Sequence, residues 1–500
     1  MTLDQNNKKR SKIDRPAPIY WCMNCNIPLI TSRCGLCSNQ TKQINLGVPG
    51  DVRFCSPHER SILHDILISE YGTDPLGSRL ILLNKIGGED KTDQVIVDGL
   101  FLGILHFNLA ILDWKLDLNI EGAAILAQYT GRRTIELSEA GRHLSGKTIP
   151  SDMIRQCSKD IRQGDEVIVK YARLVGVGTA LLGENEITTN NNTNNNTNNN
   201  NTNKVPALRI RKIKKTGPQS QLIERIATMD EVIQANKPTL EQLSKDGVNT
   251  IRGLANQKQY RQTPIYVSFS GGKDSLVVLS LARNALKQSL AAYFINTGLE
   301  FPDNPEYVKR VCKDLDIELF EIIAGNTFWK HLEKLGPPAK DCRWCCNICK
   351  LVPINHEHGG KAHLNLDGKR KYESFTRSRI PSKEENPLVP GQVNIYPIRN
   401  WRAIEVWLYI HWKGLEYNSL YDKGFERVGC WLCPAALVAE HCLVKQIYPE
   451  LYSGWDQYLY NWALDNNLPD GYIKYGFWRW REHPPKMKLL AEQLGIPLKI

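Results

Sequence analysis

The stretch from Ser268 to Ser275 reads Ser-Phe-Ser-Gly-Gly-Lys-Asp-Ser, and together with its flanks it decides the fold. Residues 264–267 form a short apolar run after a proline, and residues 276–283 repeat apolar side chains at helical spacing. This pattern predicts a loop between a buried strand and a helix. The small residues allow backbone N–H groups to approach an anion, and the helix N-terminus adds partial positive charge.

Two charged side chains in this loop indicate what it binds. Lys273 adds a full positive charge, and Asp274 is a candidate Mg²⁺ ligand. We therefore predict a phosphate-binding loop, although it lacks the G-x-x-x-x-G-K-[ST] spacing of the best-known type. The alternative interpretation is a glycine turn in which the lysine has no special role.

Strands and helices alternate on both sides of the loop. Residues 219–259 look helical, 291–296 and 318–323 read as strands, and a helix is expected from 304 to 315. Such alternation predicts an α/β doubly wound parallel sheet with its ligands at the carboxyl ends of the strands.

The bulk composition limits the classes of protein. The chain has 500 residues, a net charge of +11 and 42% hydrophobic residues, which predicts about three globular domains. The positive charge favours RNA or phosphorylated substrates as partners, with an ordinary basic enzyme as the alternative. Residues 1–10 show no secretory signal, and the apolar run at 99–112 is shorter than the ~20 residues of a spanning helix. We expect a cytoplasmic protein without a membrane partner.

The first cysteine group predicts a zinc ribbon over residues 15–45. Cys22 and Cys25 form one C-x-x-C knuckle, and Cys34 and Cys37 form another eight residues further on. Four thiolates at this spacing suit a tetrahedral Zn²⁺ ion, and so small a segment needs a structural metal to fold. Two disulfides are the alternative, which a reducing compartment disfavours.

The region between the ribbon and the loop divides into three parts by composition. Residues 51–92 read as an α/β connecting region, and 93–187 as short strands punctuated by glycine, which predict a small β-barrel. Residues 188–217 form an Asn/Thr-rich linker, expected to be disordered, that ends in a basic strip at 204–215. That strip is either a nucleic-acid contact or a solvated flank of the linker.

Two resemblances to known families extend this interpretation. The glycine and valine placement of the barrel region resembles a PUA domain, an RNA-binding module of RNA-modifying enzymes; a purely structural barrel is the alternative. Residues 266–434 resemble the PAPS reductase family, part of the PP-loop ATP pyrophosphatase group. Beside the Ser268–Ser275 loop, the matching motifs are Asn296–Pro302, Cys345–Ile354, Gly368–Arg377, Pro397–Trp401, Tyr417–Phe425 and Val428–Pro434.

The PAPS reductase resemblance implies an adenine nucleotide, either ATP with Mg²⁺ or a sulfonucleotide (PAPS or APS). Its phosphates would bind the loop, and its adenosine would lie near Thr297. Arg377 and Arg370 would contact phosphate or sulfate; the alternative is that either is a surface arginine. The loop residues implicated in cofactor binding are Ser268, Ser270, Gly271, Gly272, Lys273, Asp274 and Ser275.

The resemblance also implies a metal cluster in the parallel-sheet domain. Cys345, Cys346, Cys430 and Cys433 fall where related reductases hold a [4Fe-4S] cluster, and a second zinc site is the alternative. Cys342 and Cys349 are additional cysteines, which would serve as alternative ligands or as catalytic thiols that carry a persulfide. Lys273 and Asp274 are the other catalytic candidates.

Three departures from the reductase pattern favour RNA, and specifically tRNA, as substrate. The loop keeps a Lys-Asp pair typical of ATP-cleaving enzymes, the C-terminus at 495–500 lacks the reductases' tail cysteine, and a ribbon and a PUA-like module are fused to the domain. We expect ATP-dependent adenylylation of RNA followed by sulfur transfer, with a sulfur or thiol donor protein as partner. The alternatives are a sulfonucleotide reductase that releases sulfite with an external thiol, and a non-catalytic RNA-binding protein that senses ATP.

The domain boundaries expected from these motifs are 218–436 for the parallel-sheet domain and 437–500 for a C-terminal helical region. Residues 472–481 of that last region interleave aromatic and basic side chains. This pattern fits stacking on unpaired bases, with burial in the core as the alternative.

Overall fold

The computed structural model describes residues 18–138, 144–196, 205–215, 221–286 and 290–498; for 191–196 and 375 only the backbone is described. Four sheets organise these residues in chain order. None of the helices in these ranges is long and apolar enough to cross a membrane.

The ribbon module is a three-stranded antiparallel sheet in the order β2-β1-β3. Its strands are β1 (Ile19–Cys22), β2 (Ile27–Leu29) and β3 (Lys42–Ile44). The first knuckle is therefore the turn between β1 and β2. Trp21 is fully buried, and its indole N–H donates to Asn26 Oδ1 (2.8 Å).

The meander module follows, and it corrects one predicted boundary. It contains β4 (Pro49–Phe54), α1 (Pro57–Tyr71), β5 (Ile81–Ile86), β6 (Thr92–Val97), β7 (Leu100–Asn108) and β8 (Asp113–Leu118), with the strands paired antiparallel in chain order. The prediction that one region ends at 92 and a barrel begins at 93 is wrong. β5 and β6 form a hairpin whose apolar residues share one core with α1, so the boundary cannot fall between them.

The six-stranded module corresponds to the predicted barrel but begins later. Helix α2 (Ile120–Leu126) precedes a sheet in the order β10-β14-β13-β12-β9-β11. Its elements are β9 (Thr134–Leu137), β10 (Thr148–Pro150), β11 (Ile154–Cys157), β12 (Glu166–Tyr171), β13 (Leu174–Ala180), α3 (Glu184–Asn196) and β14 (Pro206–Lys215).

Two predictions about the linker at 188–217 are corrected by this module. The basic strip is not a solvated linker flank, because β14 pairs with β10 and β13 and buries Leu208 and Ile210. Its role as a nucleic-acid contact stays a prediction. The tract predicted to be disordered begins inside α3, and Ile187 of that helix is buried against the sheet. Residues 197–204 and 216–220 lie outside the described residues.

The parallel-sheet domain confirms the predicted alternation. Its elements are α4 (Met229–Ala255), β15 (Ile265–Ser268), α5 (Lys273–Leu286), β16 (Ala291–Asn296), α6 (Asn304–Asp314), β17 (Glu318–Ile323), α7 (Thr327–Leu335), α8 (Trp344–Cys346), α9 (Val352–His358), β18 (His363–Leu366), β19 (Lys383–Glu385), β20 (Gln392–Ile395) and α10 (Ala403–Lys413). The strand order is β17-β16-β15-β18-β20-β19, and the edge strand β19 pairs antiparallel. Since the chain leaves β15 on one side and returns on the other, the predicted loop lies at the topological switch point.

Helices fill the C-terminal region, as the sequence predicts. Between residues 437 and 498 they are α11 (Val438–Ile447), α12 (Pro449–Asp465), α13 (Asp470–Lys474) and α14 (Pro485–Leu494). Within the aromatic and basic stretch at 472–481, Tyr472, Phe477 and Trp478 are buried, and Arg479 is only 1% exposed. The structure thus supports the core interpretation of this stretch over base stacking.

Candidate nucleotide and metal sites

The loop from Ser268 to Ser275 is fixed by a close contact with α6. Gly271 has φ +82°, and a Cβ atom there would lie 2.1 Å from Asn304 Oδ1, so only glycine fits. The Asn304 amide in turn donates to the Ser270 carbonyl (3.2 Å). These contacts hold the backbone in the shape needed at a strand-to-helix turn.

A distant segment, the Tyr417–Phe425 motif, braces the same loop. The Asn418 amide donates to Asn304 Oδ1 (2.9 Å), and the Tyr421 hydroxyl accepts the backbone N–H of Lys273 (2.7 Å). This motif is part of the PAPS reductase resemblance, but the sequence alone gave it no role. Asn418 and Tyr421 could have indicated this role, because each has a polar side chain able to reach other parts of the chain.

A chain of alternating charges runs from the loop into the meander module. Lys273 Nζ lies 2.9 Å from one oxygen of Asp274, and Arg370 Nε lies 2.6 Å from the other. Two further Arg370 nitrogens donate to the carboxylate of Asp51 on β4 (2.6 and 3.0 Å). Burial opposes ionisation of Asp274, but the Arg370 and Lys273 charges outweigh it and hold the pKa of that carboxyl below its usual value.

Arg370 therefore has a role different from both predicted ones. Its side chain is 1% exposed and donates to Asp51, Asp274 and the Trp401 carbonyl. It is neither a surface arginine nor free to grip a phosphate, and it acts instead by positioning Asp274. Asp274 retains lone pairs for a cation, since a carboxylate offers about four acceptor sites.

A cavity of about 470 Å³, the nucleotide cavity, opens in front of the loop. The predicted site residues on its wall are Ser268, Ser270, Gly272, Asp274, Ser275, Arg377, Cys345, Cys346, Cys430 and Cys433. The loop and the second cysteine group thus share one space, although Asp274 and Cys345 are far apart in the sequence.

Three predicted ligand contacts are used inside the protein. The Ser268 hydroxyl donates to Asn365 Oδ1 (2.8 Å), and the Ser275 hydroxyl donates to the Gly272 carbonyl (2.9 Å). Thr297, expected near the adenosine, is 1% exposed, and its hydroxyl donates to Glu300 Oε1 (2.8 Å). The Thr297 side chain therefore shapes the turn after β16.

Several charged residues on the cavity wall were not predicted from the sequence, among them Asp367 and Lys350. Asp367 follows β18, and burial raises the pKa of its carboxyl. Lys350 lies beside the cysteines, and the charge of the Cys430 thiolate is the main cause that raises the pKa of its ammonium group. Lys350 follows Cys349 within the Cys345–Ile354 motif, and this position could have indicated its place beside the cysteines.

The second cysteine group is assembled from two segments. Cys345 and Cys346 lie in α8, while Cys430 is held against the turn after β16 by an isolated bridge to Glu300. All four predicted ligands line the cavity, yet among the described residues no three of their sulfurs lie within 4.8 Å of one another. As they stand, these four sulfurs do not converge on one position in the way that those of the first cysteine group do.

The adjacent pair in this group ionises unequally. A hydrogen bond from Cys345 is the main cause that lowers the pKa of Cys346 to about 6, and the same bond raises the pKa of Cys345. Burial raises the pKa of Cys430 to about 11. One thiolate is thus available near neutral pH, and further ones would form on binding a metal.

The two additional cysteines differ in accessibility. Cys349 is 1% exposed, and burial raises the pKa of its thiol to about 11. Both properties argue against its predicted role as a reactive thiol. Cys342 is half-buried, and its predicted role stays a prediction.

The first cysteine group has the geometry of a single-ion site. The sulfurs of Cys22, Cys25, Cys34 and Cys37 all lie within 4.8 Å of one another. A hydrogen bond from the backbone N–H of Asn39 is the main cause that lowers the pKa of Cys37 to about 6. Four convergent sulfurs, three of them on buried residues, could hold a tetrahedral metal ion.

Comparison with known proteins now identifies the family. Residues 264–436 match the phosphoadenosine phosphosulfate reductase domain. An uncharacterized protein of Methanocaldococcus jannaschii is 36% identical over 447 residues, which cover 89% of this chain and 98% of that protein. The chain belongs to the same family as this protein and contains a PAPS reductase domain. An adenosine 5′-phosphosulfate reductase of Halalkalibacterium halodurans is 27% identical over 41% of this chain and 88% of its own length.

Solved structures give more distant similarities. A PAPS reductase from Candida auris, in a phosphate complex, is 21% identical, with 39% of this chain and 96% of that chain covered at a TM-score of 0.31. A PUA domain protein from Thermoplasma acidophilum is 19% identical, with 32% of this chain and 91% of that chain covered at a TM-score of 0.23.

Proposed function

We propose that this PAPS reductase-family protein uses ATP to adenylylate a base of RNA, such as tRNA, and then replaces the activated oxygen with sulfur. The observation that carries the proposal is the chain of charges from Lys273 through Asp274 and Arg370 to Asp51. It connects the meander module to the phosphate loop, whereas the sulfonucleotide reductase relative aligns with only 41% of this chain. A small nucleotide alone has no need of the remaining modules.

In the first step, the carbonyl oxygen of the base attacks the α-phosphorus of ATP, and pyrophosphate leaves. Lys273 would neutralise charge on the leaving group, and Asp274 would bind the accompanying Mg²⁺. Arg377, which lines the cavity and pairs with Glu373, would contact a phosphate when that pair opens.

In the second step, the terminal sulfur of a donor protein's persulfide anion attacks the activated carbon. The C–S bond forms, the C–O bond breaks, and AMP leaves. A second thiol then cleaves the remaining S–S bond, so that the base keeps the sulfur and the two thiols end as a disulfide. A [4Fe-4S] cluster on Cys345, Cys346, Cys430 and Cys433 would supply sulfur-binding or redox chemistry beside the loop, and Lys350 would offset the negative charge of its thiolates.

The remaining modules would hold the RNA. The six-stranded module presents Arg209, Lys212 and Lys215 as exposed basic residues of β14, while Arg211 and Lys214 of the same strand pair with Glu166 and Glu121. The ribbon module, with Zn²⁺ on its four cysteines, would fix the N-terminal end of this surface. RNA affinity should therefore fall steeply with salt concentration.

The test compares substrates with protein purified anaerobically. Labelled ATP, PAPS or APS is supplied with and without tRNA, and pyrophosphate and sulfite are measured. We expect pyrophosphate release that depends on tRNA and falls at least ~100-fold in Lys273→Ala. The control Lys258→Ala, at an exposed lysine, should match the wild type. Sulfite release from PAPS or APS without RNA would refute the proposal, and RNA binding without any turnover would favour an ATP-sensing binding protein.

A further inference from the structure

A second cavity, of about 380 Å³, lies at the seam between the meander module and the parallel-sheet domain. Asp51 and Arg53 of β4 form part of one wall, and Lys273 forms part of the other. Arg343, Arg377 and Arg427 line both this seam cavity and the nucleotide cavity, so the two spaces adjoin each other.

The seam cavity carries an excess of basic side chains. Eight lysine and arginine side chains line it, against five aspartate and glutamate side chains, which leaves an excess of three. Several of the cations are paired: Arg53 with Glu59, Lys85 with Glu426, and Arg370 with Asp51.

Three residues account for the excess. Lys340, Arg343 and Arg427 have no carboxylate within ion-pair distance in the described ranges of the chain. Arg343 Nε donates to the Lys340 carbonyl (3.3 Å), and the Lys340 ammonium lies over the Trp480 ring (5.1 Å). Glu440 also lines the cavity, but its carboxylate already accepts the N–H of Leu437 at the start of α11 (2.9 Å).

The surroundings of Lys340 favour the binding of an anion. The Lys340 side chain is half-buried at the cavity wall and has no carboxylate within ion-pair distance among the described residues. A phosphate beside Lys340 would supply the missing opposite charge and favour the protonated amine.

We infer that the seam cavity binds a backbone phosphate of the RNA and leads the acceptor base towards the nucleotide cavity. Two guanidinium groups and an ammonium group suit the oxygens of one phosphodiester. One wall comes from the meander module, which lies outside the region that matches the reductase domain. The site thus fits a substrate larger than a nucleotide. This inference rests on the proposed function for the identity of the polymer.

The experiment measures tRNA binding and ATP binding separately with the full-length protein. The variant is the double substitution Lys340→Gln and Arg427→Gln, and Arg261→Gln, at an exposed arginine outside both cavities, is the matched control. We expect the double variant to bind tRNA at least about tenfold more weakly, with the log–log salt slope reduced by about 1, because one phosphate contact is lost. Its zinc content should match that of the wild type, which shows that it is folded. Its affinity for ATP should fall less than its affinity for tRNA, because Lys340 lines the seam cavity alone.

Several outcomes would overturn the inference. The first is an unchanged tRNA affinity and salt slope in the double variant. The second is a loss of ATP binding without a loss of tRNA binding, which would assign the cavity to nucleotide phosphates. Failure of the proposed function would give a different result, because the wild type would then release no pyrophosphate with tRNA. The weaker tRNA binding of the double variant would still support the phosphate site.

Discussion

The two cysteine groups each contain four thiols, but they differ in the spacing of their sulfurs and in their position relative to the nucleotide cavity. In the ribbon module, two knuckles of one short segment bring their sulfurs within 4.8 Å of one another, and none of them lines the nucleotide cavity. In the parallel-sheet domain, Cys345 and Cys346 meet Cys430 and Cys433 across a cavity that also contains the phosphate loop. Accessibility and spacing, more than residue type, therefore distinguish the two groups.

The largest effect is expected on folding, from Cys34→Ser in the ribbon. Because a structural zinc site contributes about 10 kcal/mol of binding free energy, its loss should unfold β1–β3 and lower the thermal midpoint. Zinc content and thermal melting measure this. Cys433→Ser is the matched control and should keep both the zinc and a midpoint within about 4 °C of the wild type. Equal destabilisation by the two variants would break the distinction between the groups.

The second-largest effect is expected on sulfur transfer, from the substitution Cys430→Ala. We expect bound iron and sulfide to be lost together with sulfur transfer, while zinc content stays at the wild-type value. Metal analysis and product analysis of the RNA measure this. Zinc in place of iron at the second group in the wild type would contradict the cluster and favour a second zinc site.

A smaller effect is expected from Asp51→Asn, which tests the contact between the modules. The amide leaves Arg370 with one charged partner, so Asp274 should shift and tRNA-dependent pyrophosphate release should fall about 10²-fold. Glu416→Gln, which removes the exposed partner of Arg310, should leave activity unchanged and alter stability by less than about 1 kcal/mol. Full activity of Asp51→Asn would show that the module does not position the loop.

The smallest effect is a difference in thiol reactivity in metal-free protein. Since the pKa of Cys346 is lowered to about 6 and that of Cys349 is raised to about 11, alkylation at pH 7 should modify Cys346 at least about tenfold faster. Lowering the pH from 7 to 5 should slow Cys346 about tenfold, because its thiolate becomes protonated. Peptide mass spectrometry measures both rates, and equal rates would contradict the burial of Cys349.

Local patterns predicted much of this molecule. The alternation of strands and helices around Ser268–Ser275 and the turn at Cys22 and Cys25 depend on residues close in sequence, and the structure has both. The boundary at residue 93 and the interpretation of the basic strip at 204–215 as a linker flank were wrong, because strand pairing is decided by partners that a local pattern does not contain. The contact of Arg370 with Asp51 spans 319 positions and could not be inferred from either residue alone.

The charge chain at the loop also sets a condition on its ligands. Lys273, Asp274, Arg370 and Asp51 together carry no net charge, so this chain of charges is balanced in itself. A phosphate that recruits Lys273 leaves the other three with an unbalanced negative charge in a buried setting, where such charge is costly. This chain of charges therefore favours a cation that accompanies the phosphate, which gives the expected dependence on Mg²⁺ a physical origin in the protein itself.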